Sequence, residues 1–573
     1  MKEPLINLEI WYCILIVFVI ACNTKKVSDD GYELKSLSKA DKAIQAEIKD
    51  VLSTLESSNY TLDSAVINYH KVLQYFYSST DNAPIWSSNN QWQPTANNFI
   101  AYLNNAALQG LFADDYQLSA IKKLQSIIDK APKKNSTDSY WATCDILLTN
   151  ALMGVAKDLK QGRLMTDSAS WKNDTAYYRS FFGATVEKLK HSDNIDSLLN
   201  TIQPKQAGYV NLKKGIKNFV DSMDNKEYTY VNFPFKDSIA GVKALKKRLA
   251  EAGITITLTN PIPLKVDTLR KPNPDSVALS NAIKTYQKKA GILVDGRVGA
   301  TVVKTLNMSD KQRYNAIAIT LDRYKLLPQV MPQKYIWVNL PGYYLQIVDK
   351  DSVALTSRVI VGKPITPTPL LTGLISDMVL YPTWTVPTSI ISKDMLPGLK
   401  RNPNYLARRG LYLLNGKGAK INAGSINWGK YSKGIPFKIQ QGSGNSNALG
   451  VIKFNFENPY SVYLHDTNQR YLFKNASRSL SHGCVRVQEW EQLANYIAVN
   501  DSLNVKKGDT LRYTRDSLSN WLAEKRNRRV MVKNKMPLFI GYYSCELVNG
   551  TIKFYDDIYF DDRDMKQKYF ANK

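Results

Sequence analysis

The chain contains four histidines, His70, His191, His465 and His482, and five cysteines, Cys13, Cys22, Cys144, Cys484 and Cys545. Two of those histidines and one cysteine share a single segment of 25 residues, YLHDTNQRYLFKNASRSLSHGCVRV, from Tyr463 to Val487. A thiol attacks as its thiolate, and a free cysteine titrates near ~8.5, so a nucleophilic cysteine needs a base or a cation beside it. Imidazole can take that proton at neutral pH and later return it to a leaving amine. Cys484 with His465 or His482 therefore points to acyl transfer through a thioester. Two other uses compete. Zinc could draw on His465, Asp466, His482 and Cys484, but these lack the paired C-x₂-C or H-x₃-H spacing of common sites. An inert buried thiol with structural histidines is the third.

Local elements can place these groups. Ser461 to His465 reads as one strand and Cys484 to Val487 as another, followed by an amphipathic helix over 489–499. In Cys484-Val485-Arg486-Val487, strand alternation sends the thiol and the guanidinium to one face and both valines to the other. Gly483 allows a tight backbone approach before the cysteine. The amides of Gly483 and Cys484 are then candidate oxyanion donors.

The rest of the chain sets the compartment and the frame. At 573 residues it should hold three or four domains of roughly 150 residues each. Its 44% hydrophobic content excludes a wholly disordered, collagen-like or multi-span membrane protein. Lys plus Arg (76) less Asp plus Glu (50) leaves +26, a balance that attracts polyanions without naming one. Five cysteines are too few for a disulfide framework. Cys144 and Cys545 read as structural thiols, with a pairing between them left open. Ile10 to Ala21 is an uncharged apolar run of 12 residues. It spans about 18 Å at ~1.5 Å per residue, short of a ~30 Å bilayer core, and suits a signal-peptide h-region. Val19-Ile20-Ala21-Cys22 resembles the lipobox of bacterial lipoproteins, which makes 1–22 a lipoprotein-type signal with Cys22 as the lipidated residue. An uncleaved signal anchor is the alternative; both put the bulk of the chain outside the cytoplasm. From 34 to 225 the apolar spacing is helical, and 236–307 forms a second helical unit. Beyond Leu321 short β-rich runs separated by Pro and Gly take over. A basic, loop-rich insertion at about 392–433 interrupts them.

The segment from His465 through Ser481-His482-Gly483-Cys484-Val485-Arg486 closely resembles the signature of the L,D-transpeptidases with a YkuD-type catalytic domain. Leu321-Asp322-Arg323-Tyr324, Trp337 to Pro341, Val359 to Lys363, Tyr381 to Pro387 and Asn447 to Gly450 resemble the large multidomain members of that family. Ala83 to Trp86, Gly110 to Phe112 and Asp115-Tyr116 are similar to their N-terminal scaffold, with Asn89-Asn90 where a glycine turn is more usual. Tyr286-Gln287, Gly291, Asp295-Gly296, Val298-Gly299 and Thr301 resemble a peptidoglycan-binding domain, with Tyr286 in place of Phe. The implied fold is multidomain α+β. It comprises a helical scaffold (34–225), a small helical peptidoglycan-binding domain (236–307), a β-rich catalytic domain (315–500) with the insertion as a cap, and a C-terminal extension (501–573).

The resemblance also implies an activity and roles. Cys484 is the nucleophile and His465 the base, oriented through its other ring nitrogen by a backbone carbonyl such as that of Asp466. His482 lines the site near the oxyanion pocket with Gly483 and Ser481, and Arg486 orients donor carboxylates, for which a planar fork is suited. Cysteine-dependent transfer from a tetrapeptide stem to a diaminopimelate amine would release D-alanine and form a 3-3 cross-link in peptidoglycan. An L,D-carboxypeptidase or cross-link hydrolase on the same scaffold, or a non-enzymatic wall anchor, are the alternatives. No cofactor and no metal are implied. The location is the periplasmic face of the envelope, with the lipid at Cys22 in the outer membrane. The cap's cations would meet stem-peptide carboxylates, a solvated basic loop being the plainer reading. Nucleic acid is not expected as a partner.

Overall fold

The computed structural model describes residues 37–55, 61–62, 65–131, 137–164, 181, 194–224, 226–257, 274–402, 404–505 and 513–570. The signal segment with Cys22 lies outside these residues. Among the described residues, no helix is long and apolar enough to cross a membrane. The chain divides into two compact units, the first drawn from 1–103, 114–155 and 168–198, the second from 104–113, 156–167 and 199–573.

The first unit is helical. Its longest helix, Asp138–Gln161, is the run whose apolar residues recur at three- and four-residue spacing, and Cys144, Leu147, Leu148 and Ala151 are buried along it. Asp145 on the same helix is buried but fully engaged. It accepts from the Ile85 and Trp86 amides (3.0 and 2.9 Å) and from the Tyr77 hydroxyl (2.6 Å). Burial still pushes its carboxyl up to about 6. The Ala83 to Trp86 stretch thus supplies donors that a buried carboxylate needs.

In the second unit, Leu245 and Leu249 of helix Ser238–Glu251 pack with Ile283 and Tyr286 of helix Pro274–Lys289 and with Val302, Val303 and Leu306 of helix Ala300–Asn307. Gln287 pins the turn that follows. Its oxygen accepts from the Asp295 and Gly296 amides, and its nitrogen donates to the Asp295 carboxylate at 2.7 Å.

Among the described residues, thirteen strands build the catalytic sheet and the sheet of the insertion. The first four are β1 (Lys334–Asn339), β2 (Tyr344–Asp349), β3 (Ser352–Gly362) and β4 (Leu371–Leu380). The insertion contributes β5 (Trp384–Thr385), β6 (Leu411–Leu414), β7 (Lys420–Ile421) and β8 (Lys438–Gln441). Then come β9 (Ile452–Phe456), β10 (Leu464–His465), β11 (Ser479–Ser481), β12 (Val485–Val487) and β13 (Arg528–Gly541). One sheet runs β11-β3-β12-β10-β9-β4-β13-β1-β2, and β2 pairs again with β3, so the strand order returns on itself around one apolar core. The C-terminal extension is integral to it, because β13 lies between β4 and β1. The cap forms its own sheet, β7-β6-β8-β5, with its own core of residues including Val386, Leu396, Leu399, Trp428 and Ile439. Its ordered part thus begins at Trp384, ahead of the basic stretch.

The two internal cysteines are free and buried. Desolvation pushes both thiols well above their ordinary range.

Candidate active site

Strand register gathers the chemistry. Antiparallel pairing of β9 with β10 sets Lys453 opposite His465, and parallel pairing of β10 with β12 sets His465 opposite Arg486. Leu464 and Val485, also partners, are fully buried on the core side. With a period of two, Tyr463, His465, Cys484 and Arg486 all project from the other face. The Val485 amide donates to the Tyr463 carbonyl at 3.1 Å, which carries the pairing one residue beyond the strand ends. The thiol and His465 are therefore diagonal neighbours, with Tyr463 directly across from Cys484.

His465 is 4% exposed, and its Nδ1 donates to the Asp466 carbonyl in a short hydrogen bond. Burial, and next the Arg486 charge, hold the imidazole down at about 3, so it is a neutral base whose tautomer is set by that carbonyl. Asp466 does not face outward to a substrate. Its carboxylate is fully buried and accepts from the Val451 amide (3.0 Å) and from Arg470 Nε and Nη2 (3.1 and 2.7 Å). Its part is to fix the backbone that holds the histidine.

Burial pushes the Cys484 thiol up, while hydrogen bonding from Tyr463 and the charges of Lys453 and Arg486 pull the other way. The Tyr463 side chain stands between the thiol and the Trp384 side chain, and burial and then the thiol's charge push its hydroxyl well above the ordinary range. Its ring lies edge-on to His465 with centroids 5.6 Å apart, and Lys453 Nζ sits 4.0 Å from the Tyr463 centroid. Tyr463 and Lys453 were not singled out from sequence. Tyr463 was legible as the residue two before His465 on the same strand face. Lys453 was not, because only the β9–β10 pairing brings it there.

The loop before the thiol differs from expectation. Gly483 has φ +118°, a conformation L side chains rarely adopt. Its amide is taken, however, donating to Ser481 Oγ at 3.1 Å, and Ser481 Oγ donates to the Cys484 carbonyl at 2.6 Å. Ser481 is 2% exposed, so it braces the loop instead of facing a substrate. Of the two amides expected to meet an oxyanion, Gly483 is committed internally, leaving that of Cys484. A serine hydroxyl competes readily for nearby backbone donors, and this explains the difference.

Arg486 is partly buried. Its Nη1 donates to Gln469 Oε1 at 3.1 Å, and its buried Nε has no hydrogen-bond partner. It is placed to receive a carboxylate. His482 turns instead to the cap, where its Nε2 lies 2.5 Å from Asp394 Oδ2. Of the two histidines, only His465 shares the thiol's face of the β10–β12 pair.

Comparison with known proteins bears on this arrangement. Residues 333–506 match the family model of the L,D-transpeptidase catalytic domain, YkuD, and residues 71–216 match that of the scaffold domain. The catalytic-domain match ends before β13, although that strand is central to the sheet here. A Haemophilus influenzae protein provisionally named an L,D-transpeptidase is 33% identical over 247 residues, which is 43% of this chain and 48% of the relative. The match thus spans about half of that relative's length. Among solved structures, an L,D-transpeptidase from Mycobacterium smegmatis shares 11% identity over 36% of this chain and 58% of its own, with a TM-score of 0.17. One from Stackebrandtia nassauensis shares 14% over 56% and 97%, also at a TM-score of 0.17, too low for either superposition to inform the site. With the scaffold match preceding it, the segment that encloses Cys484 and His465 is a catalytic domain of the L,D-transpeptidase family.

Proposed function

We propose that the chain forms 3-3 cross-links in peptidoglycan through a thioester on Cys484, releasing the terminal D-alanine of a tetrapeptide stem. The observation that carries this reading is the thiol and a neutral, carbonyl-oriented imidazole on one face of paired strands, inside the matched domain. Cys484 attacks the carbonyl of the third stem residue, the L-centre of diaminopimelate, as His465 takes the thiol proton. The Tyr463 hydroxyl steadies the sulfur as charge develops. The oxyanion faces the Cys484 amide, and the unpartnered Arg486 Nε meets a donor carboxylate. His465 then protonates the departing D-alanine amine. A diaminopimelate side-chain amine from a second stem displaces Cys484 and completes the cross-link. The thioester conserves the energy of the broken peptide bond, so no nucleotide is needed. In this reading the 236–307 unit holds glycan, and lipid on Cys22 keeps the enzyme at the periplasmic face of the outer membrane.

Mass spectrometry of the full-length chain in detergent with disaccharide-tetrapeptide, beside Cys484→Ala, tests this. Loss of D-alanine with a 3-3 dimer, absent in the variant, is the expected result. Tripeptide alone would assign an L,D-carboxypeptidase. An undiminished adduct in Cys484→Ala would remove the cysteine from the mechanism, and no reaction at all would favour a wall anchor.

A further inference from the structure

From Trp384 to Gln441 the cap carries ten lysines and arginines and a single acidic residue, Asp394. That one carboxylate is aimed at the nucleophile loop, with Oδ2 2.5 Å from Nε2 of His482, two residues before Cys484. The placement is built into the cap. Asp394 lies on a π-helical turn, Ile391–Met395, whose Ile391 and Met395 are buried in the cap core. Ser392 ties the same turn to the Lys433 carbonyl at 2.5 Å. The pair itself remains open to solvent, at 36% side-chain exposure for His482 and 49% for Asp394.

Resting on the function proposed above, we infer that Asp394 and His482 serve the second half-reaction: the carboxylate receives the acceptor's ammonium group, and His482 takes its proton before the amine attacks the thioester. An alkyl amine of lysine type titrates near ~10.4, so the acceptor arrives charged and without a lone pair to attack with. Both the net charge of +26 and the ten cap cations repel it. Asp394 is the cap's one counter-charge. Of the two histidines, His482 is the one paired with that counter-charge, and it is open to solvent where His465 is buried. In His482 the Nε2 proton points to Asp394, which fixes the tautomer and leaves Nδ1 as the proton acceptor. The balance closes. The ammonium gives one proton to His482 Nδ1, the neutral nitrogen forms the C–N bond, and the C–S bond breaks. The second nitrogen proton passes to the departing thiolate, and His482 returns its proton to solvent. Asp394 thus binds the acceptor and also orients the base that deprotonates it.

The test separates the two halves of the reaction in the full-length chain in detergent. Acylation is followed as the mass adduct of a carbapenem, and transfer as the ratio of 3-3 dimer to hydrolysed tripeptide from disaccharide-tetrapeptide. Asp394→Asn should acylate within threefold of wild type while its dimer-to-tripeptide ratio falls at least tenfold. Asp394→Glu should recover part of that loss. Hydroxylamine, uncharged at neutral pH, should discharge the acyl-enzyme of Asp394→Asn as fast as that of wild type. A ratio unchanged in Asp394→Asn, or acylation and hydroxylamine discharge falling along with it, would overturn the assignment. A wild type that forms no acyl-enzyme would instead sink the underlying function, and this role with it.

Discussion

Alkylation of Cys484 by iodoacetamide should speed up about tenfold per pH unit between pH 5 and 8, with no plateau. The reason is that both members of the catalytic pair are biased toward their neutral forms. Burial holds His465 at about 3 and pushes the Cys484 thiol above its ordinary range near ~8.5. Taking each group by itself, moving the proton from thiol to imidazole before substrate binds spans about 5.5 pKa units, roughly 7.5 kcal/mol less the attraction between the two charges. A preformed thiolate–imidazolium pair is then the minor form before substrate binds. Reactive sulfur at pH 7 comes instead from simple ionisation, a few per cent at most for a thiol at or above ~8.5. On the function proposed above, the His465 proton transfer then belongs to the step in which the substrate carbonyl is attacked. Quantitative mass spectrometry of the Cys484 peptide over this range is the assay, with Cys144 and Cys545 protected by burial. A rate that stays level from pH 5 to 8 would refute the reasoning, because only a preformed ion pair gives that plateau. Carbon-13 labelling of the four histidine rings gives an independent check, in which the His465 resonance should not titrate between pH 8 and 5.

Two further predictions concern the supports. Gly450 has φ +63°, and a Cβ there would lie 2.2 Å from Asp466 Oδ2. Gly450→Ala should combine a left-handed backbone cost of ~1–2 kcal/mol with ~1–3 kcal/mol for a displaced carboxylate acceptor. Its catalytic domain should melt at lower temperature and acylate more slowly; unchanged melting would show that Asp466 is not needed to hold this corner. In the helical unit, Asp145 titrates at about 6 when folded against ~3.9 when unfolded. The folded state binds the extra proton, so its contribution is fully present below pH ~4 and lost as pH rises through 6, about 3 kcal/mol in all. Asp145→Asn keeps an oxygen for the Ile85 and Trp86 amides. It should be at least as stable as wild type at pH 7.5 by urea unfolding, with the pH 4–6 dependence removed. A marked loss of stability at pH 7.5 would show that the charge itself is required.

How far these features can be read from sequence depends on whether the signal is local. The valines at 485 and 487 had to be buried, and a period of two then placed Cys484 and Arg486 on the other face without knowledge of the partner strands. Helix Asp138–Gln161 was legible for the same reason at a period near 3.6. Strand β13 was not. It carries Arg528, Arg529, Lys533 and Lys535, contains Pro537, and shifts register between Met531 and Met536. Proline within a run argues against a central strand, and here an irregularity beside it accommodates the missing donor. The cap strands, two to four residues long, are too short to show any period. Asp394 and His482 are 88 residues apart, so nothing local joins them. The available clue was compositional: one acid among ten bases.

The cap's construction bears on how transfer can compete with hydrolysis. Leu396, Leu399, Trp428 and Ile439 are buried against one another and not in the core of the catalytic sheet. Moving the cap as a body would therefore expose little of its own apolar core, and the hydrophobic term that locks most domains in place is weak here. What reaches the catalytic sheet from the cap includes the Trp384 side chain beside Tyr463 and the Asp394–His482 pair. A pair this exposed contributes only about 0–1 kcal/mol after solvent screening. On the function proposed above, ties this weak suit a cleft that admits a peptide stem twice per turnover. They also make closure and chemistry the same event: with the cap in place, Tyr463 has the Trp384 side chain beside it, and His482 has its carboxylate. If an acceptor ammonium completes that pair, the arrangement favouring aminolysis forms when the acceptor is present. Water, which brings no charge to Asp394, gains nothing from it.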